Sequence, residues 1–586
     1  MTSNPRRTRC KRRDDFAAFT TKLVLTLVSC LVVSMYTCYK VPFTKIKMLD
    51  LTDGGLSTNN HQNGYGLDTN FVFDSDSISN TNQSVATNHV LGEYFKVRSG
   101  TPEAHVPYEC IAGVADGDVT IDSRPLLWKL RNEIDVTNDL HYFSSGVEHY
   151  PGVSPAEYSY LGMGPALDTP DGPVRQGLNS QGLAVGWNVL DNSGWKMLHH
   201  QALGHYNSIS QVRPYISDMT DLSTFNYFID NDGEAALWEN QIGMGQHWEY
   251  NTRAPARDIQ WIDVDNADGD DDYTTGTDIT LSGWVVRANQ PGHFKADGSD
   301  HLGNVDRYKV GREVIGSLIY NNDLGTALSA EQLAVSFFRN DALAIDDTVS
   351  SMIVQGVLPT EDPRLSTMWV LLGHSETGIF VPVWLHGVES GEVRNVPQYL
   401  DDGDDDICVY TPSKGMQNEY FDDTDVQMRT LPFEAHLFAV INNVILPDWR
   451  SRDWADGAAV NTVGEEMKRV QEQMDKDAYM YLKYLYDTGA TSYFAPEISI
   501  DSIFLNAREA TFSVTTYDAD DENLTNFFNY GDGQSGSDAW HKYIYNGHYL
   551  VSSTVTDEHG ISQTDWLFIT VDDVAEHFSY LPLFVK

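Results

Sequence analysis

Cys110 heads an apolar run, Cys110-Ile-Ala-Gly-Val-Ala. It is followed by Arg124-Pro-Leu-Leu-Trp-Lys-Leu-Arg131-Asn132 and later by Gly177-Leu-Asn-Ser-Gln-Gly-Leu-Ala184. A thiol in that position can serve as a nucleophile, but only the thiolate attacks well, and a neighbouring cation is what sustains a thiolate at neutral pH. The inert readings are equally concrete. Free cysteine often behaves as a small buried hydrophobe. Cys10, Cys30 and Cys38 belong to the N-terminal segment, so Cys408 is the other candidate for a disulfide with Cys110 in an oxidising compartment.

Around these residues short apolar runs alternate with turn signals from about residue 100 to 450. Tyr227-Phe-Ile, Asn231-Asp-Gly233 and Ala235-Ala-Leu-Trp-Glu239 spell a hairpin, because the Asp-Gly pair tolerates the positive φ of a tight turn. Gly182 to Leu190 reads as a buried strand. Ser329 to Phe338 and Asp347 to Val357 carry apolar residues at three- and four-residue spacing and read as helices. Thr462-Val-Gly-Glu465 spells a capping box. Met467, Val470, Met474, Ala478, Tyr481, Leu482 and Leu485 then recur on one face until Gly489, predicting a long helix. After Ala495 the texture turns to β, with Ile498-Ser-Ile, Ala510 to Tyr517, Tyr549 to Val555 and Trp566 to Val571 set between Gly and Asp turns.

The chain has 586 residues, too many for one core, and predicts two or three folded units joined by linkers. Acidic residues number 84 against 39 basic ones, a net charge of −45, which excludes nucleic acid as a partner class because the surface repels polyanions. At the N-terminus a basic cluster with Arg6, Arg7, Lys11, Arg12 and Arg13 precedes the uncharged run Leu23–Tyr39. That pattern predicts a basic cytoplasmic tail over 1–22, a signal-anchor or transmembrane segment over 23–39, and a flexible Asn/Ser/Thr/Asp-rich linker over 40–97. A cleaved signal or a lipoprotein spelling at Leu27-Val-Ser-Cys30 are the alternatives. The localisation implied is membrane-anchored with extracytoplasmic domains, or secreted after processing.

Taken in order, Cys110, Arg131-Asn132, Gly177 to Ala184 leading to Trp187-Asn188, Arg287-Ala-Asn289-Gln-Pro291 and Asp306-Arg307 resemble the N-terminal nucleophile (Ntn) amidases. The likeness is to the branch of choloylglycine hydrolases, acid-ceramidase-like amidases and the acyl-coenzyme A:isopenicillin N acyltransferases (peptidase C45-like). The resemblance implies an α+β fold with a four-layer αββα core over 98–490 and a nucleophile freed by autocatalytic cleavage before Cys110. The freed α-amino group, with a pKa of about 8, would then take the thiol proton. It also implies that Arg131 favours the thiolate and holds substrate, and that Asn188 donates to the oxyanion, a role whose loss costs on the order of a hundredfold. Asn289 would position the amine or carbonyl, and Arg307 would support the cysteine. Asn132 stands where the family carries an Asp bonded to the new amine, so either Asp135 takes that place after a local shift or the activity is altered.

Asn529-Tyr-Gly-Asp-Gly533, Tyr545-Asn-Gly-His-Tyr549 and Thr554-Val-Thr-Asp557 resemble the PKD family and imply a small immunoglobulin-like sandwich over 495–575 that binds a surface or polymer. Asp263, Asp265, Asp268 and Asp270 lie in an acidic loop one residue off the EF-hand spacing and without its closing Glu. A solvated loop is the default reading there and a structural calcium the alternative. The adjacent His199 and His200 would point to opposite faces of a strand and share no metal. No phosphate loop, Gly-x-Ser-x-Gly elbow or His-Glu-x-x-His helix is present. Two functions remain in view. One is a cysteine-dependent hydrolase or acyltransferase acting on a small acyl amide or peptide-like substrate, with no cofactor required. The other is a non-enzymatic surface or calcium-dependent binding protein that keeps both folds as interaction modules.

Overall fold

Among the described residues thirteen strands precede the long C-terminal helix: β1 (Ile111–Ala115), β2 (Leu126–Asn132), β3 (Asn138–Phe143), β4 (Tyr160–Pro165), β5 (Gln176–Asn179), β6 (Ala184–Val189), β7 (Thr224–Ile229), β8 (Ala235–Gln241), β9 (Gln246–Asn251), β10 (Trp284–Ala288), β11 (Thr348–Gln355), β12 (Thr367–Leu372) and β13 (Val381–Val383). They form a six-stranded sheet ordered β10-β1-β2-β11-β12-β13 and a seven-stranded meander running β3 to β9. Pairing is antiparallel in both, so with its helices the chain is of α+β type. The computed structural model describes residues 110–132, 138–150, 152–165, 174–189, 198–217, 224–241, 246–251, 283–288, 303–320, 327–390, 396–400, 412–418, 421–489, 493–519, 523–573 and 577–579. The N-terminal tail, the 23–39 run, the linker, the acidic loop with Asp263, Asp265, Asp268 and Asp270, Asn289 and Cys408 lie outside the described residues. Among the described residues no helix is long and apolar enough to cross a membrane.

β2 is buried along its whole length because it sits inside the sheet with material on both faces. One face takes Trp128, whose ring meets Phe337 edge-on at 6.0 Å. Leu127, on the other face, shares one buried cluster with Leu161, Phe225, Tyr227 and Leu237 of the seven-stranded sheet. On that second sheet Val185, Phe228 and Trp238 pack instead against Leu198, Ala202, Ile209 and Val212 of helices α1 (Leu198–His205) and α2 (Ile209–Ser217). Alternation along β6 therefore sends Val185 toward the helices and Gly186 and Asn188 toward the six-stranded sheet.

Local chemistry explains both the agreements and the differences with the sequence reading. The β7–β8 hairpin turns at Gly233 with φ of 76°. The strand read from Gly182 runs from Ala184 to Val189, with Gly182 at φ 82° in the preceding turn. Helix α3 spans Gly303–Tyr320. Ser329 caps α4 (Ala330–Gln332) through a reciprocal bond with Gln332, and the helix widens into a π turn over Leu333–Phe337. The segment 347–357 is a strand, β11, and not the helix expected. Its residues are buried on both faces between β2 and β12, so Val349, Met352, Ile353 and Val354 are divided between the two faces and a three- and four-residue spacing arises without a helix. His199 and His200 likewise sit on α1 rather than on a strand.

Helix α5 covers Asp423–Val440 and α6 covers Gly457–Thr488. α6 begins earlier than the Thr462 box, because Asp456 accepts from the Ala458 N–H as its N-cap, while the Thr462 hydroxyl donates back to the Ala458 carbonyl at 3.0 Å. It ends at Gly489 in the left-handed conformation, φ 63°. Beyond it come β14 (Glu497–Asn506), β15 (Glu509–Tyr517), β16 (Thr525–Asn529), β17 (Ser535–Gly536), β18 (Trp540–Lys542), β19 (Gly547–Thr556), β20 (Ser562–Val571) and β21 (His577–Ser579). They make two four-stranded antiparallel sheets, β18-β15-β14-β21 and β17-β16-β19-β20, with Ile503, Phe512, Phe528, Val551 and Leu567 in a shared core.

Candidate active site

Cys110 stands immediately before β1. Ile111 pairs with Leu130 of β2 and Ala112 with Lys129, so alternation sends Cys110, Ala112, Lys129 and Arg131 to one face. That face is the one toward β6: the Lys129 ammonium donates to the Trp187 carbonyl and, at 2.8 Å, to Asn188 Oδ1. The Cys110 thiol is free and buried, with Sγ 3.9 Å from the Asn132 carbonyl oxygen, a long S–H···O contact. Burial alone would push this thiol up. The charges of Lys129 and Arg131, a hydrogen bond with the Asn132 main chain and the charge of Arg307 outweigh it and hold the thiol below its usual value. Cys408, the other candidate for a disulfide, lies outside the described residues.

The cations are confined to the same small volume. Arg131 is buried and donates through Nη1 to Asn138 Oδ1. Burial and the nearby Arg175 press its pKa well down, while Cys110 works in the opposite direction. Arg175, just before β5, lies over the Trp187 ring with its guanidinium carbon 4.7 Å from the centroid. Arg307, on α3, is buried and donates through Nη2 to the Leu343 carbonyl. Burial brings Lys129 down to about 8, helped by Arg131 and Arg175 and opposed by its charge interaction and hydrogen bond with Cys110. His199, also buried, donates through Nδ1–H to the Val174 carbonyl at 2.9 Å and is brought down to about 3, chiefly by burial.

Asn188 is fully enclosed and its amide is committed within the protein. Oδ1 accepts from Lys129, and Nδ2 donates to the Tyr227 hydroxyl and to the Arg287 carbonyl, each at 3.1 Å. Tyr227 closes the ring by donating to the same carbonyl at 3.1 Å. Asn132 points away from this group. It neighbours Arg131 along the strand, and its Oδ1 accepts from Thr348 Oγ1 at 2.6 Å, so only its main chain reaches the sulfur. Cys110, Arg131, Asn188 and Arg307 are thus gathered in one region by three elements and a strand head, whereas the Asn132 side chain is turned to β11.

Lys129 is the participant that sequence reasoning passed over. Its signal was available, since a lysine two residues before Arg131 in an otherwise apolar strand must share Arg131's face. Ser350 was missed as well. It pairs across from Arg131 in β11, and its buried hydroxyl has no hydrogen-bond partner among the described residues. Among the described residues no group of three or more His, Cys, Asp or Glu side chains is placed to hold a metal ion.

No protein-family profile matches the chain, and no curated protein matches it. Solved structures similar to it include a mutant conjugated bile acid hydrolase from Clostridium perfringens, at 13% identity over 47% of this chain and 92% of that one with a TM-score of 0.29. They also include a penicillin V acylase from Agrobacterium tumefaciens, at 12% identity over 47% of this chain and 86% of that one with a TM-score of 0.29. The PKD1 domain of Vibrio anguillarum Epp matches at 25% identity over 14% of this chain and 99% of that one, with a TM-score of 0.13. Likenesses at these scores decide nothing about chemistry, which has to come from the atoms around Cys110.

Proposed function

We propose that the protein is an amide (C–N) hydrolase or acyltransferase of the N-terminal nucleophile type, working through Cys110 after the Glu109–Cys110 peptide bond is cut and acting on a linear acyl amide outside the cytoplasm. The observation that supports this most is a free thiol at the head of β1, held below its usual pKa by cations on the same strand face. In this reading residues 98–490 form a four-layer αββα core, residues 495–575 a PKD-like sandwich, and the 23–39 run the membrane anchor.

The chemistry runs from the thiolate. Cys110 Sγ attacks the amide carbonyl, and the negative charge passes to the carbonyl oxygen. The fixed charges of Arg131 and Arg307 stabilise that charge in a site from which water is largely excluded. The C–N bond then breaks, the amine leaves with the proton that the freed Cys110 α-amino group took from the thiol, and the acyl group remains on sulfur as a thioester until water or a second amine takes it. Asn188, held by Tyr227 and Arg287, keeps Lys129 in place, and Asn289 is assigned the positioning of the amine or carbonyl. The chemistry needs no cofactor.

A panel of acyl amides offered to the purified chain, with mass analysis of quenched reactions, tests this. Turnover together with an acyl adduct on Cys110 is the expected result, and both should vanish in Cys110→Ala. Equal turnover by the alanine variant would end the proposal.

A further inference from the structure

We propose that Lys129 is the base that deprotonates the Cys110 thiol for the cut at Glu109–Cys110. This inference rests on the amidase reading. As long as the Cys110 nitrogen belongs to a peptide bond it has no basic lone pair, so the α-amino mechanism is closed before cleavage and another base must act on the uncut chain. Lys129 is built for that task. Its ammonium reaches the Trp187 carbonyl and, at 2.8 Å, Asn188 Oδ1, and the strand register places Lys129 on the same face as Cys110. In the neutral amine two N–H bonds satisfy those oxygens and the lone pair is left to accept a proton. In the ammonium form the third N–H carries the proton taken from the thiol, and the positive charge stabilises the thiolate on the shared face. The same geometry therefore serves both sides of the proton transfer.

The surrounding groups favour the lysine over other candidates. Facing it are the thiol from the head of β1, Arg131 from its own strand, Arg175 from before β5 and His199 from α1. Arg131 and Arg175 repel a charge on Lys129, and burial, which is the largest influence, does the same, bringing it to about 8. His199 is too weak a base at about 3, and its Nδ1 is engaged with the Val174 carbonyl. The arginines keep their protons and cannot accept one.

The step balances. The thiol proton moves to Lys129 Nζ, Sγ bonds to the Glu109 carbonyl carbon, and the C–N bond breaks as Lys129 returns the proton to the departing Cys110 nitrogen. Water then hydrolyses the Glu109 thioester, leaving a Glu109 carboxylate, a free thiol and a new α-amine. From that point the α-amine can share the work, so Lys129 is needed most for the first event.

The test uses the full chain with Lys129→Met and Lys129→Arg, read in two ways: appearance of a fragment beginning at Cys110, and peptide-resolved iodoacetamide labelling of Cys110 from pH 6 to 10. The methionine variant should slow the cut by at least about a hundredfold, the contribution of a general base. It should also move the labelling inflection to higher pH, slowing labelling at pH 7 by about tenfold for each unit moved. Arginine restores the charge but cannot take a proton, so labelling should recover while the cut does not. A merely structural lysine would not separate those two readouts. Unchanged cutting and labelling in Lys129→Met overturns the inference and leaves the amidase reading standing. A wild-type chain that stays uncut overturns both the inference and the amidase reading, an outcome distinct from a wild type that is cut and a Lys129→Met variant that is cut equally fast.

Discussion

The region around Cys110 and the junction between α6 and the C-terminal sheets bury charge in opposite ways. At Cys110 the buried groups are cations: Lys129, Arg131 and Arg307 converge on a thiol that can itself become negative. At the junction they are carboxylates satisfied by neutral donors. Asp477 accepts from Ser562 Oγ at 2.5 Å, Thr564 Oγ1 at 2.7 Å and Gln473 Nε2 at 2.8 Å, while Asp475, on the same helix, is satisfied from the segment 396–400 by the Tyr399 N–H at 2.9 Å. Arg469 bridges the same junction, donating to Asn529 Oδ1 at 2.9 Å and to the Leu550 carbonyl at 2.6 Å. Burial disfavours charge in both places, lowering Lys129 to about 8 and raising Asp475 to about 7 and Asp477 to about 6. The difference lies in what a proton does next. Near Cys110 it has a chemical destination, while at the junction it only adjusts how firmly two packed parts hold together.

The largest expected effect of breaking this contrast is at the cations. Arg131→Met removes a fixed charge from the thiol's surroundings and should lower amide turnover by on the order of a hundredfold, with the Cys110 labelling inflection displaced to higher pH. Normal turnover in that variant would show that the cations are structural, as the carboxylates are. Next comes the strand that carries the sulfur. A Cβ at Gly113 would run into the Trp128 ring and approach the Val285 carbonyl oxygen to 2.6 Å, so Gly113→Ala should destabilise the protein by about 1–3 kcal/mol, read by denaturant unfolding.

Asp477→Ala leaves two hydroxyls and an amide without their shared acceptor and should cost about 1–3 kcal/mol, seen as a lowered Tm with turnover per folded molecule unchanged. Loss of turnover in proportion to neither would join the two regions that are here distinguished. The smallest effect is one of pH. The folded pKa values of Asp475 and Asp477 lie above the unfolded value of 3.8, so protonation of these groups favours folding. Their contribution is complete below that value and is lost as pH rises through about 6 to 7. The stability difference between wild type and a paired Asp475→Asn, Asp477→Asn variant should therefore change between pH 5 and pH 8, because asparagine does not titrate.

Much of the scaffold was legible because local rules decide it. The β7–β8 turn needs positive φ and has glycine there, and α6 ends where Gly489 adopts the left-handed conformation. Legibility failed where tertiary position overrides spacing. β11 is apolar on both faces because it is interior, which a periodicity count takes for a helix, and Asp456 captures the start of α6 ahead of the Thr462 box. At the site, a motif shows that Arg131 and Asn132 are adjacent, but strand alternation separates them, turning one toward the sulfur's face and the other toward Thr348. Lys129 escaped notice because it belongs to no motif. Its importance arises from Trp187 and Asn188, which are far away in sequence and adjacent only across the two sheets.

The most direct measurement is N-terminal and intact-mass analysis of the purified chain, wild type beside Cys110→Ala. The expected result is a wild-type fragment whose first residue is Cys110 and an alanine variant that remains whole. A wild-type chain that remains whole while hydrolysing acyl amides, or an alanine variant cut at the same bond, would contradict the assignment of Cys110 as an N-terminal nucleophile.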